Sequence, residues 1–266
     1  MPYVKKTTKI NRDGQTIIRV EKLHTSRYGS KGKCTRSSNY GKTDENTAKR
    51  NARRACMRAE DVFNANFGQG DLLCTYTFAP EYKYLYEKEK IRLFNNYMRR
   101  LQRVYEKAGI PFKWMKAIET PEKNFHIHTA FPKIDTALLP EWEYGEVHIQ
   151  ICDNRDVHTY GGYLRELTHI KMGNKGKYLD CKPKQYYSHS RNLILPEPEY
   201  DIISSDHWTN EPKAPKGYYI LDNRVENWND EVDGHKHQSY ILVKLPDKPK
   251  RKPKYKPTAA GKGGRR

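Results

Sequence analysis

The chain has 266 residues, of which 36% are hydrophobic, and a mean hydropathy of −1.02. That is enough for one good-sized domain with appendages, and no run approaches the roughly 18 apolar residues needed to cross a bilayer. With 50 Lys+Arg against 32 Asp+Glu, the net charge of +18 favours a polyanionic partner, although charge alone does not separate DNA from RNA or anionic lipid. The basic N-terminus is not followed by the apolar run of a secretory signal, so an intracellular protein is expected. Five scattered cysteines without a C-x-x-C pair suit reduced thiols better than a disulfide framework or a thiolate zinc site.

Along the chain, residues 1–43 read as a basic extended arm with one short strand at Thr16–Val20. A helix capped by Thr43 is predicted from Asp44 to Asn66, because Ala48, Ala52, Ala55, Ala59 and Phe63 recur at helical spacing. Its remaining surface carries Lys49, Arg50, Arg53, Arg54 and Arg58. Asp71–Phe78 reads as a strand stopped by Pro80, and Glu81–Lys107 as a long helix ending at Gly109. Phe112–Glu119 and Asn124–Phe131 read as adjoining strands, followed by a strand at Glu146–Ile151 and a helix at Asp156–Ile170. Short turns between neighbouring strands point to an antiparallel sheet flanked by helices, the α+β, ferredoxin-like class. Residues 196–233 hold ten acidic and three basic residues, whereas the last 21 hold nine basic residues and one acid. The first segment should avoid a phosphate backbone, and the second reads as a disordered polycationic tail.

The chemistry centres on Asn124–Phe131, NFHIHTAF. Strand alternation sends Phe125, Ile127, Thr129 and Phe131 one way and His126 and His128 the other, so two imidazoles share one face. Glu119, seven residues upstream, can return beside them through a turn at Thr120–Lys123. Two imidazoles and a carboxylate leave positions open for substrate oxygens, which suits Mn²⁺ or Mg²⁺ and also accepts Zn²⁺. The competing reading is a pair of histidines that merely hydrogen-bond at a sheet surface. A second pair, His235-Lys-His237, lacks an apolar strand around it and reads as solvated surface. In HTYGGYLRELTH, Tyr160 or Tyr163 could attack a phosphodiester, the alternative being that both are packed aromatics among the 20 tyrosines.

The succession TYTF (75–78), long helix, IETPEKNFHIHTAF, WEYGEVHIQI and GGYLREL resembles the ordered motifs of rolling-circle replication initiators. These belong to the HUH endonuclease superfamily, and the likeness is greatest to the Rep-like group of bacterial phages and integrative elements. NANFGQGDLL (64–73) and QYYSHSRNL (185–193) add to a likeness covering about residues 45–195. It implies an RRM-like HUH palm that nicks a replication origin in a bacterial cytoplasm. The products would be a 5′-phosphotyrosyl adduct and a free 3′-hydroxyl. It further implies His126, His128 and Glu119 as ligands of Mn²⁺ or Mg²⁺, with Tyr163 as nucleophile and Tyr160 as the alternative. Arg53, Arg54, Arg165, Lys184 and Arg191 are the candidate DNA contacts.

The partners implied are single-stranded and origin DNA, with a host helicase and polymerase. Neither a membrane nor a nucleotide cofactor is expected, there being no Walker A motif. Glu166 departs from the lysine usual at that place, and Leu167 replaces the second tyrosine of some relatives, which favours a one-tyrosine mechanism. The resulting division is an N-terminal arm and helix (1–67), an endonuclease domain (68–195), an acidic extension (196–245) and the basic tail (246–266). A conjugative relaxase with the same chemistry, a non-catalytic nucleic-acid-binding protein and an unrelated metal hydrolase are the alternatives.

Overall fold

The computed structural model describes residues 3–25, 45–119, 125–152, 187–205, 207–221 and 224–246, apart from the side chains of Ala52 and Glu119. It is an α+β structure built on two antiparallel sheets. The predicted helix at Asp156–Ile170 and the basic tail from residue 247 lie outside the described residues.

The second sheet comprises β3 (Leu72–Thr77), β4 (Met115–Glu119), β5 (His126–Phe131), β6 (Val147–Ile151) and β7 (Tyr187–His189). Its order is β6-β3-β5-β4-β7, antiparallel at every step. Strands β3 and β4 therefore run parallel, with β5 between them, and α2 (Glu87–Lys107) makes the crossover. This split β-α-β arrangement is shared with ferredoxin-like folds, although between β5 and β6 the chain forms a 3-10 turn at Thr136–Leu138 and not a second crossover helix.

Alternation along the strands gives each face its own helix. Leu72, Cys74, Tyr76, Ile127 and Phe131 pack on Phe94, Tyr97, Leu101 and Tyr105 of α2. On the opposite face Ala130, Met115 and Ala117 receive Ala59, Val62 and Phe63 of α1 (Glu45–Asn66). Each fully buried aliphatic or aromatic side chain there contributes about 1.5–3 kcal/mol, so both helices are fixed by packing. Helix α2 starts six residues later than the sequence suggests. Pro80–Tyr82 forms a separate 3-10 turn, and Tyr86 is extended, its amide donating to the Glu89 carboxylate at 2.9 Å. That reciprocal contact sets the helix start.

The first sheet corrects the expectation of an extended N-terminal arm. Residues 3–24 form a hairpin of β1 (Tyr3–Arg12) and β2 (Gln15–His24), turning at Asp13-Gly14, both with positive φ. Asp-Gly at that place suits a two-residue hairpin turn. β1 pairs with β8 (Pro198–Ile203), and β2 with β11 (Lys236–Lys244), which also carries β10 (Glu226–Asn229) and β9 (Tyr218–Ile220). The hairpin and the acidic segment thus share one sheet.

Helix α1 is joined to this sheet by charge. Arg19, 2% exposed, donates from Nε to Asp61 at 2.7 Å and from Nη2 to Glu60 at 2.6 Å; Arg224 also reaches Glu60, at 3.1 Å. Burial pushes the Asp61 carboxyl up to about 6, against the pull of Arg19. Cys56, Cys74 and Cys152 are buried free thiols. Among the described residues, no helix is long and apolar enough to cross a membrane.

Candidate functional site

The register of β3, β4, β5 and β6 sorts the polar residues of one sheet face into two cross-strand rows. In the first, Thr77 and Glu119 stand opposite His126 on its two sides. In the second, Tyr187, Ala117, His128, Thr75 and His148 follow one another across five strands. Directly opposed residues of an antiparallel pair have Cβ atoms about 5 Å apart. Glu119 and His126 are such a pair by backbone position. His148 stands two strands from His128, roughly 10 Å away, and so belongs to the same face without sharing an ion directly.

The two imidazoles differ in environment. His128 is only 6% exposed, and its Nδ1 lies 3.1 Å from Oγ1 of Thr75, a hydrogen bond that fixes the ring plane. His126 is half-buried, and its Nδ1 is buried without a hydrogen-bond partner. The ring centroids are 6.2 Å apart and the planes 48° from each other. A buried ring nitrogen with no partner is costly unless something binds it. An oriented imidazole beside it, held through its other nitrogen, is how metal-ligating histidines are commonly supported. The two imidazoles are therefore chemically suited to a divalent cation.

The block WEYGEV positions this face. Trp142 is buried and donates from Nε1 to the Thr77 carbonyl at 2.9 Å, amid Tyr76, Phe78, Phe94 and Tyr97. At Gly145 a Cβ would come within 2.3 Å of the Thr77 carbonyl oxygen, so only glycine allows β6 to lie this close to the end of β3. Thr77 then donates its amide to Glu146 at 2.9 Å.

Of the predicted DNA contacts, Arg54 is exposed on α1, and Arg191 is exposed in the turn after β7. Arg53 already has an internal partner: Nη2 donates to Glu231 at 2.6 Å, and the guanidinium lies 4.7 Å from the Trp228 ring centroid. Arg53 and Arg54 line a cavity of about 480 Å³ between α1 and the first sheet, together with Arg50, Arg58, Lys6 and Tyr200. Arg58 also hydrogen-bonds Tyr187, whose hydroxyl is pushed up by burial and drawn down by that arginine. Tyr160, Tyr163, Arg165 and Lys184 lie outside the described residues, as do Glu166 and Leu167.

Sequence reasoning missed Thr75, Thr77, His148 and Tyr187 on this face. The alternation of Thr75 and Thr77 with Tyr76 in TYTF was the available signal. It also misread the second histidine pair. His237 is 2% exposed, and its Nε2 accepts the His24 amide at 3.0 Å. Burial holds the His237 imidazole below its usual value despite Asp230. His235 joins His24 and Asp233 in a group whose donor atoms lie within 4.8 Å of one another and could hold a metal ion. Burial pushes the Asp233 carboxyl up, but the His235 amide and the His24 ring outweigh it and hold it low. Compared with known proteins, the chain matches no family model, no curated protein and no solved structure.

Proposed function

We propose that the chain is a metal-dependent nickase of single-stranded DNA that starts rolling-circle replication through a tyrosine nucleophile. The observation that carries this reading is the row of Thr77, His126 and Glu119 beside Thr75 and His128 on a ferredoxin-like sheet, with a buried, unpartnered nitrogen on His126. The order of sequence blocks adds to it.

In this reading His126, His128 and Glu119 would hold Mn²⁺ or Mg²⁺, and Thr75 would fix the His128 ring through its Nδ1. The bound ion would supply charge neutralisation at the scissile phosphate. Tyr163 provides the attacking phenol. Its oxygen bonds to phosphorus while the bond from phosphorus to the 3′-oxygen breaks, and the phenolic proton ends on that oxygen. The products are a 5′-phosphotyrosyl protein and a free 3′-hydroxyl, with no co-reactant consumed. Reversal of the same step rejoins the strand. Arg54, Arg58 and Arg191, with Arg165 and Lys184, would hold the flanking phosphates, which fix register without reading sequence. Origin DNA, a host helicase and a polymerase are the partners this activity requires.

The test is to incubate the full chain with Mn²⁺ and labelled single-stranded oligonucleotides from its own genetic element. An adduct stable in SDS, absent in EDTA and absent for His126→Ala, is the expected result. Cleavage that persists undiminished in EDTA, or turns over without any adduct, would overturn the reading.

A further inference from the structure

Asp230–His235, the turn joining β10 to β11, is gripped from one side by α1. Arg50 lies 3.5 Å from Asp230, and Arg53 donates to Glu231 at 2.6 Å. On its other side this turn meets the end of β2. There the His24 and His235 rings lie nearly face to face, with centroids 3.6 Å apart and planes 32° from each other. Asp233 Oδ2 is 3.4 Å from His24 Nδ1, and Oδ1 of the same carboxylate accepts the His235 amide at 3.0 Å.

We propose that His24, Asp233 and His235 bind a zinc ion that clips the N-terminal hairpin to the β10–β11 turn. Three observations carry the assignment. The donor atoms already lie within 4.8 Å of one another. Donors on a tetrahedral zinc, with bonds of about 2.0 to 2.1 Å, sit about 3.4 Å apart, so small shifts of the donor atoms close the set. The ligands are also held from behind, the His235 ring by Tyr3 and the His24 backbone by His237. Tyr3 OH lies 3.3 Å from His235 Nδ1, leaving Nε2 for the ion, and the His24 amide is fixed by the buried His237. Finally, the two imidazoles stack with a single carboxylate beside them, so one cation can be shared by all three. Two imidazoles and one carboxylate are a donor set that zinc accepts, and the fourth position is left to water.

The ligands come from residues more than 200 positions apart, so bound metal closes a long loop and opposes separation of β2 from β11. The site lies in the first sheet and shares no residue with the His126 and His128 face. Its role is structural and independent of whether the protein nicks DNA.

The experiment uses the full chain without a histidine tag, stripped with EDTA and dialysed. Bound metal is counted after equilibration with ZnCl₂ or MnCl₂, and thermal unfolding is followed with and without each. Zinc should raise the unfolding midpoint by roughly 5 °C or more at saturation. His24→Ala and His235→Asn should each remove that rise and one bound zinc, whereas His126→Ala/His128→Ala should keep the rise. His235→Asn, in an accessible turn, serves as the measurement if His24→Ala fails to fold. The assignment falls if zinc leaves the parent midpoint unchanged. It falls equally if the two clip variants respond like the parent, or if the zinc response disappears only in the His126→Ala/His128→Ala chain.

Discussion

Thr75 and His128 face each other across β3 and β5, with the threonine hydroxyl 3.1 Å from Nδ1 of the imidazole. The contact engages Nδ1 of His128 and fixes the orientation of its ring. Thr75→Val keeps the shape and removes the hydroxyl. Mn²⁺-dependent nicking should fall by about 10- to 100-fold through weaker metal binding, with little change in unfolding midpoint. Initial rates across a Mn²⁺ titration check this. Parental rates at low Mn²⁺ would show that Thr75 does not orient the ring.

Tyr163 and Tyr160 are separated by one test. Tyr163→Phe removes only the attacking oxygen and should abolish both the nick and the covalent adduct. Tyr160→Phe should retain part of both. Peptide mapping of the trapped adduct locates the nucleotide directly. A nucleotide on Tyr160 would move the nucleophile to that residue, and unchanged cleavage in both variants would end the tyrosine mechanism.

Arg19 lies among Asp61, Glu60 and Glu21, with Asp61 and Glu60 within hydrogen-bonding distance. Arg19→Met leaves buried Asp61 without its cation, while Glu60 keeps Arg224 and Glu21 keeps Lys6, and should destabilise the fold by about 3–5 kcal/mol at neutral pH. The sign of the pH dependence follows from Asp61, whose folded value is already raised to about 6. Without the arginine it rises further, so the folded variant binds more protons than its unfolded chain as pH falls. The deficit of Arg19→Met should therefore be largest above about pH 7 and shrink toward pH 5. Urea unfolding of parent and variant at both pH values measures it; a deficit independent of pH would mean that Asp61 is not the destabilised group.

The last 21 residues carry nine basic residues and one acid. Deleting 246–266 should weaken binding to all DNA sequences about equally and reduce the salt dependence, because phosphate contacts release counterions without reading bases. Loss of origin preference with an unchanged salt slope would contradict this.

The placement of the two histidines on one sheet face was legible in the sequence because β5 alternates in residue type, although the structure buries nearly all of it. HIHTAF alternates cleanly, so His126 and His128 could be assigned to one face, and seven residues between Glu119 and His126 leave room for a hairpin. Thr75 and Thr77 were not legible as site residues, since only the pairing of β3 with β5 sets them beside the histidines. The N-terminal hairpin was missed for another reason. YVKKTTKINR looks like a solvated basic arm, yet Val4, Thr8 and Ile10 are buried, and the Asp13-Gly14 turn was the overlooked signal. His237 was misread because the strand that buries it, β2, lies over 200 residues earlier in the chain.

That separation bears on how the protein is made. At about 5–20 residues per second, the ribosome emits β1 and β2 roughly 10 to 40 seconds before β8 and β11 exist to flank them. The ferredoxin-like sheet has most of its strands by residue 151 and can condense first, whereas the hairpin waits with both edges open to neighbouring nascent chains. Lys5, Lys6 and Lys9 on β1 and Lys22 on β2 place positive charge along those edges. Charged edge residues disfavour pairing between identical strands. The lysines that make this segment look like a tail are thus suited to keeping it soluble until its own partners arrive.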